Sequence, residues 1–164
     1  MTKYTPKIII VGGGLSGLTL ALSLARSNFN IVVLEQASHL SEVGAGIQIS
    51  ANGARVLHLL GLEAELAKVA FRPEQGEMRH WKTGETLISR PLGESSVERF
   101  GFPYYHMHRY DFHQLLATAT RAIAPNAIRL NAKVGTVRQT DDGASAVLTS
   151  GDVIEGDVLI GCDG

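Results

Sequence analysis

The chain has 164 residues, with 15 Lys and Arg against 16 Asp and Glu for a formal net charge of −1, so it has one domain's length at the usual ~100 to 200 residues and no broad field for nucleic acid or an anionic membrane. Hydrophobic residues make up 45% and charged residues 19%, which argues against disorder. A single cysteine excludes an intrachain disulfide framework, making a reducing, cytoplasmic location the expectation.

Ile8 to Ala25 contains no charged residue and is preceded by Lys3 and Lys7, a pattern shared with secretory signals and membrane anchors. Gly12, Gly13, Gly14 and Gly17 interrupt it, and each costs about 1 kcal/mol relative to alanine inside a continuous helix. The period also changes at the glycines. Lys7 to Val11 is a β-branched block, whereas Leu15, Leu18, Leu22 and Ala25 recur at helical spacing. Strand, turn and helix are predicted, and no membrane association.

Asn30 to Glu35 reads as a second strand buried on both faces, which completes a parallel β-α-β unit. Glu42 to Ser50, with Gly44 and Gly46, reads as a loop, and Ser50 is placed to cap a short helix ending before Gly61. Met78 to Trp81 and Thr86 to Ser89 flank a hairpin turn, while Pro91 to Pro103 looks irregular. This region is expected to be an insertion outside the nucleotide fold. A helix from Arg109 carries Phe112, Leu115, Leu116, Ala119 and Ile123 on one face before Pro125 stops it. Ile128 to Leu130 is a short strand, and Lys133 to Gln139 and Ser145 to Thr149 form a small antiparallel meander around Asp141-Asp142-Gly143. Asp157 to Ile160 is a last strand, leading into Gly161-Cys162-Asp163-Gly164.

Gly12-Gly13-Gly14-Leu15-Ser16-Gly17 satisfies G-x-G-x-x-G between a strand and a helix. Gly12 permits the turn, Gly14 lets backbone approach a pyrophosphate and Gly17 allows close packing, with the anion on the helix N-terminus. The plainer alternative is a glycine-rich turn with no ligand. Glu35 follows Gly17 by 18 positions, close to the ~20 expected of the acid that binds a ribose. A 2′-phosphate there would face a like charge, so NADP is disfavoured at this site and NAD or FAD remain.

Arg109 opposes the macrodipole of the helix it begins, by about 0.3 to 1 kcal/mol, a cost that either an external anion or Asp111 would offset. His106, His108, Asp111 and His113 lack the spacing of a metal site and read as surface or packing residues, with no metal expected. Cys162 reads as a small buried thiol rather than a nucleophile.

Taken together, IIIVGGGLSGLTLALSLAR, VVLEQA, EVGAGIQISANGARVLHLLGL, HRYDFHQLL and GDVLIGCDG resemble the N-terminal part of the group A flavoprotein aromatic monooxygenases, of the salicylate hydroxylase and 3-hydroxybenzoate 6-hydroxylase type. The resemblance implies an α/β, Rossmann-like FAD-binding fold with a parallel sheet, an antiparallel meander and part of an inserted β-hairpin region. It implies one N-terminal FAD/NAD(P)-binding domain over 1–164, incomplete, with 71–108 belonging to a partial substrate-domain insertion. Gly12, Gly14, Leu15, Ser16 and Gly17, with Glu35 and Gln36, would hold the ADP part of FAD. Ala45 and Gly46 would lie along the cofactor, Arg109 would contact it, the backbone of Val134 would approach the adenine, and Asp163 would open the family's DG motif. Ala51 departs from the proline that relatives often carry before the helix.

The activity implied is hydroxylation of a small aromatic substrate with O2 through a flavin hydroperoxide, NADH or NADPH serving as transient reductant. Because the sequence stops inside the DG motif, it is expected to be a fragment, inactive alone, with a further C-terminal segment or a second copy as partner. No catalytic residue is assigned. The alternatives are a non-catalytic dinucleotide-binding module and, less favoured, an NAD-linked dehydrogenase.

Overall fold

A computed structural model describes residues 4–40 and 44–164. In chain order, the elements begin with β1 (Lys7–Val11), α1 (Leu15–Arg26), β2 (Asn30–Leu34), β3 (Gly46–Ile49), α2 (Ala51–Leu59) and α3 (Glu63–Val69). They continue with β4 (Ala70–Phe71), β5 (Gln75–Arg79), β6 (Thr86–Pro91), α4 (Gly93–Phe100), β7 (Tyr105–His108) and α5 (Arg109–Ile123). The last are β8 (Ile128–Arg129), β9 (Val134–Thr140), β10 (Gly143–Leu148), β11 (Val153–Gly156) and β12 (Val158–Gly161). Two compact units result, one from residues 1–42 and 113–164 and the other from Val43–Phe112.

The first unit is Rossmann-like. Its parallel sheet has the order β12-β1-β2-β8, and because side chains alternate along a strand, β1 and β2 bury residues on both faces. Ile8, Ile10, Ile31 and Val33 pack with Ala21 and Ala25 of α1. Ile9, Val11, Val32 and Leu34 pack with Ala146, Leu148 and Ile154 of the antiparallel meander β11-β10-β9. A helix and a small sheet thus cover the two faces, and the run from Ile8 to Ala25 is a strand, a turn and a helix. Among the described residues no helix is long and apolar enough to cross a membrane.

Asp157, between β11 and β12, ties down the start of β1. It accepts hydrogen bonds from the Tyr4 hydroxyl and, at 2.6 Å, the Lys7 N–H, while its own N–H donates to the Lys7 carbonyl at 2.8 Å. The Tyr4 hydroxyl above all, then the Lys7 amide, holds its carboxyl below the usual range. A folded pKa below the unfolded one gives stabilisation that is complete above the unfolded value of about 3.9 and is lost as pH falls through the lower folded value. Urea unfolding below about pH 4 is therefore expected to show wild-type stability falling more steeply than that of Asp157→Asn. Parallel curves would remove this role.

The second unit contains the antiparallel sheet β3-β7-β4 and the hairpin β5-β6. Tyr105 of β7 is fully buried, its hydroxyl 2.9 Å from His58 Nε2 and accepting from Arg72 at 3.2 Å. The stretch from Glu42 to Ser50 is a loop only in part. Gly46–Ile49 pairs with Tyr105–His108, which supplies backbone partners that local glycine content does not reveal, while Glu42 lies outside the described residues. Ser50 occupies the N-cap of α2, but its hydroxyl bonds Asn52 Oδ1 rather than a backbone amide. The hairpin forms as expected, with Trp81 moved into its turn.

Pro91 to Pro103 is not irregular throughout, since it contains α4, whose apolar Val97 and Phe100 are exposed while Ser96 is buried. The helix α5 buries Phe112, His113, Leu116, Ala117 and Thr120, whereas Ile123 is exposed. Two polar residues on the buried face displaced the apparent stripe.

Candidate dinucleotide site

The C-terminal ends of β1, β2 and β12 meet in the first unit. Gly12 has φ +105°, and a Cβ there would stand 2.6 Å from the Cys162 carbonyl oxygen and 2.9 Å from the Asp163 nitrogen. Only glycine combines that backbone conformation with such an approach. Gly17 is closer still, since a Cβ on it would sit 1.9 Å from the Gly12 carbonyl oxygen. The first and third motif glycines therefore let the loop fold back against α1 and against the segment after β12.

The amides of this loop divide into two sets. Gly12 N–H donates to the Leu34 carbonyl at 2.8 Å and Gly13 N–H to Glu35 Oε2 at 2.7 Å. The helix start is different. Gly14 is the N-cap, it offers no side-chain cap, and the first turn of α1 has no acidic residue. The N–H groups of Gly14, Leu15, Ser16 and Gly17 are the donors every α-helix leaves without an intrahelical partner, and together with the positive end of the dipole they form a place for an anion.

Glu35 stands immediately after β2, with Oε2 on the Gly13 amide and Oε1 accepting the Ala37 amide at 2.8 Å. Each oxygen has two lone pairs, so the carboxylate fixes the loop and keeps capacity for a sugar's hydroxyls. Gln36 is exposed. Ala132 N–H donates to the Glu35 carbonyl at 2.8 Å and Asn131 N–H to that of Ala37 at 3.0 Å, which starts the segment leading to Val134 beside the end of β2. Asp163 is exposed next to the Gly12 loop. Cys162 is partly rather than fully buried, and that desolvation, then the charge of Asp163, pushes its thiol up, the opposite of what an activated nucleophile needs.

The second unit brings together Ala45, Gly46 and Arg109. Arg109 N–H donates to the Ala45 carbonyl at 3.3 Å, Gly46 pairs with His108, and the Arg109 Cδ lies 3.0 Å from where a Gly44 Cβ would stand. The histidines near Arg109 do separate work. His106 meets the Tyr104 ring edge-on, and His108 Nδ1 accepts the Tyr110 amide at 3.2 Å as a cap on α5. In the first unit, His113 Nε2 lies 2.7 Å from the Gly13 carbonyl oxygen. Sequence spacing missed this contact with the glycine loop. Its one available signal was that residues 113, 116, 117 and 120 also follow helical i, i+3, i+4, i+7 spacing.

The profile of the FAD binding domain family matches residues 5–164. The chain belongs to this family. It is 40% identical over 164 residues to a 3-amino-4-hydroxybenzoate 2-monooxygenase of Streptomyces platensis, covering 100% of this chain and 41% of that protein. It is 37% identical over 157 residues to 3-hydroxybenzoate 6-hydroxylase 1 of Aquipseudomonas alcaligenes, covering 96% and 40%. A crystal structure of 2-methyl-3-hydroxypyridine-5-carboxylic acid oxygenase superposes with a TM-score of 0.83 at 28% identity, covering 98% of this chain and 40% of the other. The FAD-binding domain is therefore homologous to the N-terminal part of group A flavin aromatic monooxygenases, and the chain spans about two-fifths of the length of these relatives.

Proposed function

We propose that this chain is the cofactor-binding part of an FAD-dependent monooxygenase that hydroxylates a small aromatic ring with O2, using NADH or NADPH as reductant. The observation that carries the cofactor assignment is the uncapped, acid-free start of α1 beside a carboxylate held at the end of β2. The amides of Gly14, Leu15, Ser16 and Gly17 receive the diphosphate. Glu35 accepts hydrogen bonds from the hydroxyls of the adenosine ribose, with Gln36 following it, and the Val134 backbone borders the adenine. Ala45, Gly46 and Arg109, grouped within the second unit, complete the proposed set of cofactor-binding residues, as does Asp163 in the segment after β12. Bound flavin supplies the redox and oxygen chemistry, while the protein supplies binding and orientation.

The aromatic assignment draws on the relatives, which are named for acting on hydroxylated benzoates. Titration of the purified chain with FAD, followed by flavin absorbance and fluorescence, is expected to show saturable uptake. Protein that takes up NAD but no FAD would overturn the assignment in favour of a dehydrogenase. NAD(P)H oxidation stimulated by 3-hydroxybenzoate or 3-amino-4-hydroxybenzoate tests the reaction. Flavin uptake with no stimulation by any such aromatic acid would favour a non-catalytic dinucleotide-binding module.

A further inference from the structure

His113 is only 3% exposed, and its Nε2 lies 2.7 Å from the Gly13 carbonyl oxygen. A carbonyl oxygen only accepts, so Nε2 carries a proton and is the donor in this contact, which leaves Nδ1 as the other polar atom of the ring. That Nδ1 is buried and has no hydrogen-bond partner among the described residues. As a filler, histidine is a poor choice here, because phenylalanine or leucine would occupy the space without a stranded polar atom. Donation to Gly13 is what the imidazole adds.

The accepting oxygen belongs to the Gly13–Gly14 peptide, which is trans like every peptide bond described. In a trans peptide the C=O and the following N–H point in opposite directions. Holding the Gly13 oxygen on His113 therefore turns the Gly14 amide away from the interior. The preceding peptide is fixed as well, through the Gly13 N–H on Glu35 Oε2. Two side chains distant in sequence thus set the direction of a glycine loop that has no side chains of its own to set it.

We infer that His113 is a positioning residue for cofactor binding, which aims the Gly14 amide at the diphosphate by anchoring the Gly13 carbonyl. This deepens the proposed FAD reading and rests on it. The test compares wild type, His113→Phe and His113→Gln by FAD titration, with thermal unfolding of each. His113→Phe is expected to weaken FAD by about tenfold to hundredfold, the effect of a buried carbonyl deprived of its donor. Glutamine, whose side-chain amide can reach the same oxygen, should restore most of that affinity at a similar melting temperature.

Equal affinity of His113→Phe and wild type would overturn the inference and leave the cofactor reading intact, as would equal losses in both variants, which would indicate packing alone. Wild type that takes up no FAD would instead overturn the cofactor reading. Should the variants fail to fold, the ring-nitrogen NMR spectrum of wild type decides. A protonated Nε2 coupled to the Gly13 carbonyl carbon supports the inference, and a bare Nε2 overturns it.

Discussion

Gly17→Ala is expected to destabilise the chain by about 1 to 3 kcal/mol and to abolish FAD uptake. On an ordinary helix the same change stabilises by about 1 kcal/mol, because alanine loses less backbone entropy than glycine. Here the steric effect wins. The added Cβ would stand 1.9 Å from the Gly12 carbonyl oxygen, and that atom is backbone, unable to swing aside as a long side chain would. Gly12 is itself confined by φ +105° and by the Cys162 carbonyl oxygen, 2.6 Å from where its own Cβ would be. Relief therefore requires α1 to separate from the loop, which displaces the amides at the helix start. Ser23→Ala, at an exposed position of α1, is the control and should be neutral or slightly stabilising in urea. A Gly17→Ala protein as stable as wild type, with unchanged flavin affinity, would show that this contact is not what shapes the loop.

The parts of the fold that were legible in the sequence are those in which local chemistry and long-range packing agree. Ile8 to Val11 and Ile31 to Leu34 are apolar because both faces of the parallel sheet are covered, and the glycines between the first strand and helix mark the turn. By contrast, β3 is a strand because β7 lies beside it, with every second residue exposed and a glycine at its start. Its sequence alone reads as loop. The helix α4 has the same difficulty, since it buries Ser96, whose hydroxyl donates to the Phe102 carbonyl at 3.1 Å, and exposes its apolar residues. In α5, Thr120 is fully buried because its hydroxyl donates to the Leu116 carbonyl at 2.8 Å, so a polar residue occupies a core position without an unpaired group.

The site shows the same division. The glycine loop and Glu35 follow from spacing, because each residue type has a backbone or charge requirement that can be stated without coordinates. His113 does not, since its partner is a backbone carbonyl 100 positions away, and a backbone acceptor leaves no mark in a sequence. Likewise, spacing could offer Glu35 as a ribose ligand but not as a support for the loop, a second role that appears only with its bonds to the Gly13 and Ala37 amides.

The proposed ribose contact of Glu35 and its observed support of the loop predict different results for different ligands. Hydrogen bonds to a charged acceptor contribute about 1.5 to 3 kcal/mol, and Glu35→Ala removes the acceptor from the buried Gly13 amide and from the Ala37 amide together. Partial exposure of the carboxylate lets water replace some of that, so the expected loss of stability in urea is about 2 kcal/mol. Glu35→Gln keeps one carbonyl oxygen and places an NH2 group where the other oxygen was, so it preserves one amide bond and loses the second. Its effect on stability should be the smaller of the two. For binding, ADP and inorganic pyrophosphate separate support from recognition, because both engage the amides of α1 but only ADP has a ribose. Calorimetry on Glu35→Gln should show ADP affinity falling about tenfold further than pyrophosphate affinity, the equivalent of one charge-assisted hydrogen bond. Equal losses for the two ligands would confine Glu35 to holding the loop, and the sugar would then have to be bound by other residues.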